Sequence, residues 1–192
     1  MKKLLITGFD PFGGAAVNPS WLAVRELPDV VGDYELCKLE IPTVFAEATR
    51  VVLKKAAQFQ PDVILCVGQA GGRAAVTPER IGVNIRDGRI CDNAGNQPKG
   101  EFVAEDGPAA YFSTVPVVAM AEAIEAQGIL ATLSNSAGAF VCNDTLYGLL
   151  HHYAGTAVRV GFIHVPYIPE QGEPNMPLER ITAALEAAIT AC

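Results

Sequence analysis

The side chains best suited to nucleophilic chemistry are five cysteines, Cys37, Cys66, Cys91, Cys142 and Cys192, and their contexts differ. Cys37 lies in YELCKLEI and Cys66 in DVILCVG, runs that read as strands, where a free cysteine is a small inert core residue. Cys192 is the terminal residue, and Cys91 follows a turn signal with nothing nearby to activate it. Cys142 stands apart, because the Ser- and Gly-rich stretch SNSAGAFV precedes it and the helical pattern NDTLYGLLHHY follows. A thiol at a helix N-terminus feels the positive end of the dipole, which favours thiolate and lowers the pKa. Asp144 in the same turn opposes that effect by like charge, so activation would rest on an imidazolium partner.

There are three histidines. His164 ends the apolar run VRVGFIHV and leads into a proline-bounded loop, a place where an imidazole is held rigidly at the end of a sheet. A buried structural histidine is the competing reading. His151 and His152 lie more than two helical turns beyond Cys142, too far to take its proton. An imidazole in this chemistry needs a third group to orient it and stabilise its charge. Glu79, in GQAGGRAAVTPERIGVN, is the preferred candidate and Asp92 its rival, with a surface carboxylate the plainer reading of either. The loop TGFDPFGG offers Phe9 and Phe12 among glycines, as pocket walls or as ordinary core. It lacks both GxGxxG spacing and a GK[ST] ending, so a phosphate cradle is disfavoured.

These residues must be carried by a scaffold in which short β-rich runs alternate with longer helical patterns, the signature of an α/β domain with a mostly parallel sheet covered on both faces. Strands are expected at 3–7, 34–41, 62–68, 131–134 and 158–165. Helices are expected from Asn18-Pro19 to about Leu27, from about Thr43 to Gln60, from Pro116 to Gln127, from Cys142 to about Tyr153 and from Pro177 to Ala191. The segment 71–108 reads as an insertion, and its Asp87-Gly88 pair predicts a tight hairpin. In sheets of this kind sites form at the carboxyl ends of strands, where the loops carrying Phe12, Glu79 and Cys142 should converge. With 192 residues, a single domain spanning 1–192 is expected.

Composition narrows the classes of function. Half of the residues are hydrophobic and 18% are charged, which predicts a folded chain. A net charge of −7 without a Lys/Arg cluster argues against nucleic-acid or anionic-membrane binding. No apolar stretch is long enough to span a bilayer, and the MKKLLITGFDPFGG start is interrupted too soon for a signal sequence. An odd number of cysteines without CxxC spacing predicts neither a disulfide framework nor a zinc site, and a cytoplasmic location. No metal is expected.

Four segments in order, LLITGFDPFGG with VNPSW, GQAGGRAAVTPERIGVNIRDGRICDNAGNQP, SNSAGAFVCNDTLYG and GFIHVPYIPEQ, make the chain resemble the pyroglutamyl peptidase I (pyrrolidone-carboxylate peptidase) family along essentially its whole length. The resemblance implies Cys142 as nucleophile, His164 as general base and Glu79 as orienting acid. It also implies a three-layer α/β/α sandwich with a mostly parallel twisted central sheet and an inserted hairpin, no cofactor, and a homo-oligomer, commonly a tetramer. The implied substrates are peptides with N-terminal pyroglutamate, cleaved through an acyl-thioester.

Pyroglutamate presents a flat, neutral lactam, which aromatic faces can clamp while polar groups satisfy its amide. By similarity, Phe9 and Phe12 supply the walls. Gln69 is the candidate hydrogen-bonding partner, Asn18 supports the loop, and Thr43, Ile90, Phe140 and Val141 complete the lining. The oxyanion would be met by the N–H of Cys142 and one near Arg89. The chain departs from the common pattern with CND in place of CNH, with Thr145 where a larger apolar residue packs, and with Cys91. A homologue that binds small cyclic amides without turnover is the alternative, and a nucleoside or phosphate enzyme on a similar sandwich is a third.

Overall fold

The structure is a computed structural model describing residues 1–192. In chain order the elements are β1 (Lys2–Phe9), α1 (Pro19–Glu26), β2 (Val30–Val31), β3 (Tyr34–Ile41), α2 (Glu47–Phe59), β4 (Val63–Gln69), β5 (Thr77–Pro78), β6 (Ile81–Val83), β7 (Arg86–Asp87), β8 (Lys99–Glu101), β9 (Ala110–Phe112), α3 (Val117–Ala126), α4 (Val141–His152), β10 (Arg159–Val165) and α5 (Leu178–Thr190). The main sheet has the order β2-β3-β1-β4-β10-β5. Its four inner strands are parallel, and the two short edge strands run antiparallel.

Alternation along the inner strands divides the core in two, since successive side chains face opposite ways. Leu4, Ile6, Val63, Leu65, Val67, Ile163 and Val165 pack with residues of α1, α3 and α5 on one face. Leu5, Ile64, Cys66, Val160 and Phe162 pack with α2 and α4 on the other. This is the expected three-layer α/β/α sandwich, with both sheet faces dry as parallel strands require.

The helix signals act as the sequence implies at α1, where Asn18 Oδ1 accepts the Ser20 N–H at 3.1 Å and Pro19 occupies the first turn. The second helix begins at Glu47 rather than near Thr43, because Ala46 takes φ 60°, outside the helical region. It ends at Gln60 in the left-handed conformation ahead of Pro61.

Two sequence expectations need correction. Residues 131–134 do not form a regular strand: they run beside 76–79 through isolated bridges at Ala131 and Ser134. Pro78, in the partner segment, has no N–H with which to continue a ladder. The inserted hairpin is present as the antiparallel pair β7–β8, but Asp87-Gly88 is not its turn: an eleven-residue loop joins the strands, and Gly88 does not adopt the positive φ that a tight two-residue turn demands. The Asp92 carboxylate organises that loop. It accepts the N–H groups of Ala94 at 2.9 Å and Asn96 at 2.8 Å, and reaches out to the Phe45 N–H at 3.0 Å.

Candidate active site

Strand register brings His164 and Glu79 together. The β5 segment runs antiparallel to β10 with Thr77 opposite His164, and the Glu79 N–H donates to the Phe162 carbonyl at 2.9 Å. Glu79 is therefore diagonal to His164 on the same sheet face, within reach of a long side chain. His164 Nδ1 and Glu79 Oε1 are 2.7 Å apart, and both residues are buried. A carboxylate can only accept, so Nδ1 carries the proton of this bond, and Nε2 is the ring nitrogen left to exchange protons with the site.

The same alternation puts His164 on the face of Val160 and Phe162, the face covered by α4. Its lateral partner in β4 is Gly68. A Cβ placed on Gly68 would lie 2.9 Å from Cys142 Sγ, so the sulfur sits directly over that position. Adjacent strands are about 4.8 Å apart, which puts the thiol one strand spacing from the imidazole's own strand. Gly68 is needed for this close approach and not for its backbone angle. Cys142 and His164 line one cavity of about 1180 Å³.

The Cys142 thiol is not lowered in pKa by its helix as the sequence suggests. Burial pushes it up to about 12, the Glu79 charge and Cys66 add to the rise, and Arg73 pulls the other way. Asp144 does not repel the sulfur: its carboxylate turns away to Arg86 Nε at 2.5 Å and the Ala46 N–H at 2.7 Å. Glu79 is an ionised carboxylate. Burial works against its charge, but the hydrogen bond and charge of His164 and the bond from Arg73 outweigh it, and its pKa is lowered.

Arg73 escaped the sequence reading. Its Nη1 bonds Glu79 Oε1 and the Thr77 hydroxyl, both at 2.7 Å, and it also lines the cavity. The GGR run in the loop after β4 was the available signal, but an arginine in a loop has no periodicity to mark it as facing the site. The rival carboxylate Asp92 is spent on its loop and meets no histidine. His151 bonds Tyr111 through Nδ1 at 3.0 Å, away from the sulfur.

Of the residues expected around the lactam, Phe12, Gln69, Ile90 and Phe140 line the cavity, as does Arg89. Phe12 and Phe140 face each other with centroids 6.0 Å apart. Phe140 is braced edge-on by Phe45 at 5.2 Å. Gly13 and Gly14, at φ 62° and 82°, supply the turn that brings Phe12 over the cavity. Three expected lining residues, Phe9, Val141 and Thr43, do not reach it, and Asn18 supports the loop from behind as expected. Phe9 is 2% exposed and packs on Phe162 in the core, and Val141 is wholly buried. Asn18 caps α1 and donates to the Asp10 carbonyl, while Thr43 bonds Asp10 through its N–H and hydroxyl. These two tie loops together behind the pocket. Cys91 is exposed, with Sγ 3.9 Å from Gln97 Oε1, and lies outside the lining. Thr145 is buried with its hydroxyl bonded to the Val141 carbonyl at 2.8 Å, so the smaller residue leaves no unpaired polar group.

Two residues that line the cavity have backbone N–H groups without a protein acceptor. The Cys142 N–H belongs to the first turn of α4, where helical partners are lacking, and the Arg89 N–H donates to no protein group. A carboxylate-held imidazole beside a sulfur, with free N–H groups nearby and an apolar slot, is the equipment of a thiol hydrolase. Comparison with known proteins makes that class specific. A family described as "Pyroglutamyl peptidase" matches residues 2–192. A pyrrolidone-carboxylate peptidase of Staphylococcus saprophyticus is 52% identical over 196 residues, covering 98% of this chain and 92% of its own. The crystal structure of Bacillus amyloliquefaciens pyroglutamyl peptidase I superposes with TM-score 0.97 at 46% identity, covering 100% of this chain and 96% of that one. Pyrrolidone carboxyl peptidase from Thermococcus litoralis gives 0.95 at 37% identity, with 100% and 93% covered. The chain belongs to the pyroglutamyl peptidase family.

Proposed function

We propose that this chain hydrolyses the bond following an N-terminal pyroglutamate, with Cys142 as nucleophile, His164 as acid–base and Glu79 as the group that orients and charges the imidazole. The observation that carries the reading is the shared sheet face on which the Glu79-bonded imidazole stands one strand from the Gly68 position beneath the Cys142 sulfur. Because the resting thiol is neutral, its proton passes to His164 Nε2 as sulfur attacks the pyroglutamyl carbonyl. The oxyanion is met by the N–H groups of Cys142 and Arg89. The C–N bond then breaks and His164 returns the proton to the departing amine. Water, deprotonated by the same imidazole, attacks the thioester, the C–S bond breaks, and the proton restores the thiol.

Phe12 and Phe140 clamp the lactam ring in this reading. Face-on stacking on both sides needs about 7 Å, twice the roughly 3.5 Å contact distance, so the pair parts by about an ångström on binding. Gln69 donates to the lactam oxygen. The unit acts as one domain over 1–192, without cofactor, as a homo-oligomer, by family resemblance a tetramer, in the cytoplasm. Exposed Phe102, Phe112 and Leu130 are apolar surface that such an assembly would cover. No helix is long and apolar enough to cross a membrane.

The test is release of fluorophore from pyroglutamyl-aminomethylcoumarin beside an unblocked alanyl analogue. Cleavage of the first only, abolished in Cys142→Ser, is expected. Activity retained in that variant refutes the assignment, and tight binding without turnover would favour the noncatalytic binder of cyclic amides.

A further inference from the structure

Gln171 lies in the turn following β10, and its amide is fixed by two backbone groups of opposite kind. Oε1 accepts the Ile168 N–H at 3.2 Å, and Nε2 donates to the Val17 carbonyl at 3.3 Å. Rotating this amide by 180° would set a donor against a donor and an acceptor against an acceptor, so only one orientation is allowed. The same Nε2 donates to Gln69 Oε1 at 2.9 Å. Gln69 is thereby fixed as well: its oxygen must face Gln171, and its Nε2, for which the protein provides no acceptor, is the atom left for the cavity it lines.

We infer that Gln171 is a specificity-positioning residue, which sets the Gln69 amide so that the pocket presents an N–H donor, selecting a ring that carries a carbonyl. A freely rotating Gln69 could present either atom. Held as it is, it matches the lactam C=O and offers nothing to a pyrrolidine ring such as proline's, which lacks that oxygen. The inference rests on the reading of Gln69 as the lactam's partner. Gln171 touches neither the sulfur nor the imidazole in this arrangement, so its effect should fall on binding and not on bond breaking.

Gln171→Glu provides the test. A carboxylate at this position still accepts the Ile168 N–H, but it has no donor for Gln69, which then turns its Nε2 toward that carboxylate and its oxygen into the cavity. With pyroglutamyl-aminomethylcoumarin at pH 8, KM is expected to rise roughly ten- to a hundredfold with kcat little changed, as for a buried carbonyl facing an acceptor. Protonation gives the introduced carboxyl group an O–H that can donate again, so the KM gap to the parent should narrow as the pH is lowered toward 5.5. A packing lesion would show no such recovery, and a lesion caused only by the lost bond to the Val17 carbonyl would persist in the Gln69→Leu background. Gln69→Leu should raise KM by itself, and Gln171→Glu should then add nothing to it. If Gln69→Leu raises KM but Gln171→Glu leaves it unchanged, or adds its full effect in the double variant, the positioning role is refuted alone. If Gln69→Leu has parental KM, the reading of Gln69 is wrong and this inference falls with it. Should Gln171→Glu fail to fold, Gln171→Met carries the same comparison: a smaller KM rise, absent in the Gln69→Leu background, is expected, and a rise that persists there overturns the role.

Discussion

Replacing Gly68 by alanine inserts one methyl group between the sheet and the Cys142 sulfur. The new Cβ would stand 2.9 Å from Sγ and 2.8 Å from Phe162 Cζ. Comfortable contact begins at about 3.5 Å, so one neighbour must yield by about 0.6 Å or more. The Phe162 ring is fully buried and has nowhere to go, whereas the sulfur borders the cavity and can move. A misplacement on the order of 1 Å costs about a hundredfold in rate, and overpacking of this kind costs about 1–3 kcal/mol of stability. Gly68→Ala should therefore lower kcat about a hundredfold on the pyroglutamyl fluorogenic amide, with a matching drop in the urea midpoint.

A control separates the two effects. A Cβ on Gly161 would meet Val115 Cγ2 at 2.2 Å, and Gly161 lies on the face of β10 opposite Phe162 and His164. Gly161→Ala should lose stability, yet its folded fraction should retain kcat. If Gly68→Ala turns over at the parental rate, or if Gly161→Ala loses as much kcat per folded molecule, the placement of the sulfur over β4 is not what sets the rate.

Two further outcomes test the electrostatics. In Glu79→Gln the amide oxygen can still accept the His164 and Arg73 hydrogen bonds, but no charge remains to stabilise an imidazolium, so kcat should fall about 10²- to 10⁴-fold with KM little altered, as steady-state kinetics would report; a parental kcat would remove Glu79 from the mechanism. The raised thiol pKa means that thiolate at Cys142 grows about tenfold per pH unit between pH 7 and 10, so alkylation by iodoacetamide, followed by peptide mass spectrometry, should climb throughout that range; a plateau below pH 8 would mean a preformed thiolate.

The parts of the scaffold written in local chemistry could be read from the sequence. The alternation of YELCKLEI and the continuous apolar runs of KLLIT and DVILCVG marked three of the inner strands, and Asn18-Pro19 marked a helix start. Cys142, the proposed nucleophile, was marked by its turn-to-helix context. The choice between Glu79 and Asp92 was not, because both are buried carboxylates in loops and only partners tell them apart. Glu79 meets an imidazole through a β5–β10 register that a two-residue strand does not announce, while Asp92 meets four loop donors. Phe9, Phe12 and Phe140 pose the same problem. Phe9 points into the core because strand alternation continues through it, whereas Phe12 and Phe140 lie beyond their elements, where loop geometry decides.

Asp144 shows how a departure beside Cys142 is contained. Wholly buried two residues from Cys142, it would oppose any negative charge on sulfur if its own charge were free. Arg86 bonds one oxygen, and the Ala46 N–H bonds the other. Burial still outweighs these partners and its pKa is raised, which marks the pair as costly to bury and its geometry as important. What the arrangement secures is position. Ala46 is held at φ 60°, a conformation costing about 1 kcal/mol or more in a non-glycine residue, and the Asp144 bond anchors it at the start of α2. Arg86 in turn ties β7 to α4, on the same stretch of chain whose Asp87 N–H donates to Ala139 and whose Arg89 and Ile90 line the cavity. The residues that hold the 86–90 segment against α4 are thus Arg86 and Asp144 jointly, and neither can be judged conservative or disruptive without the other.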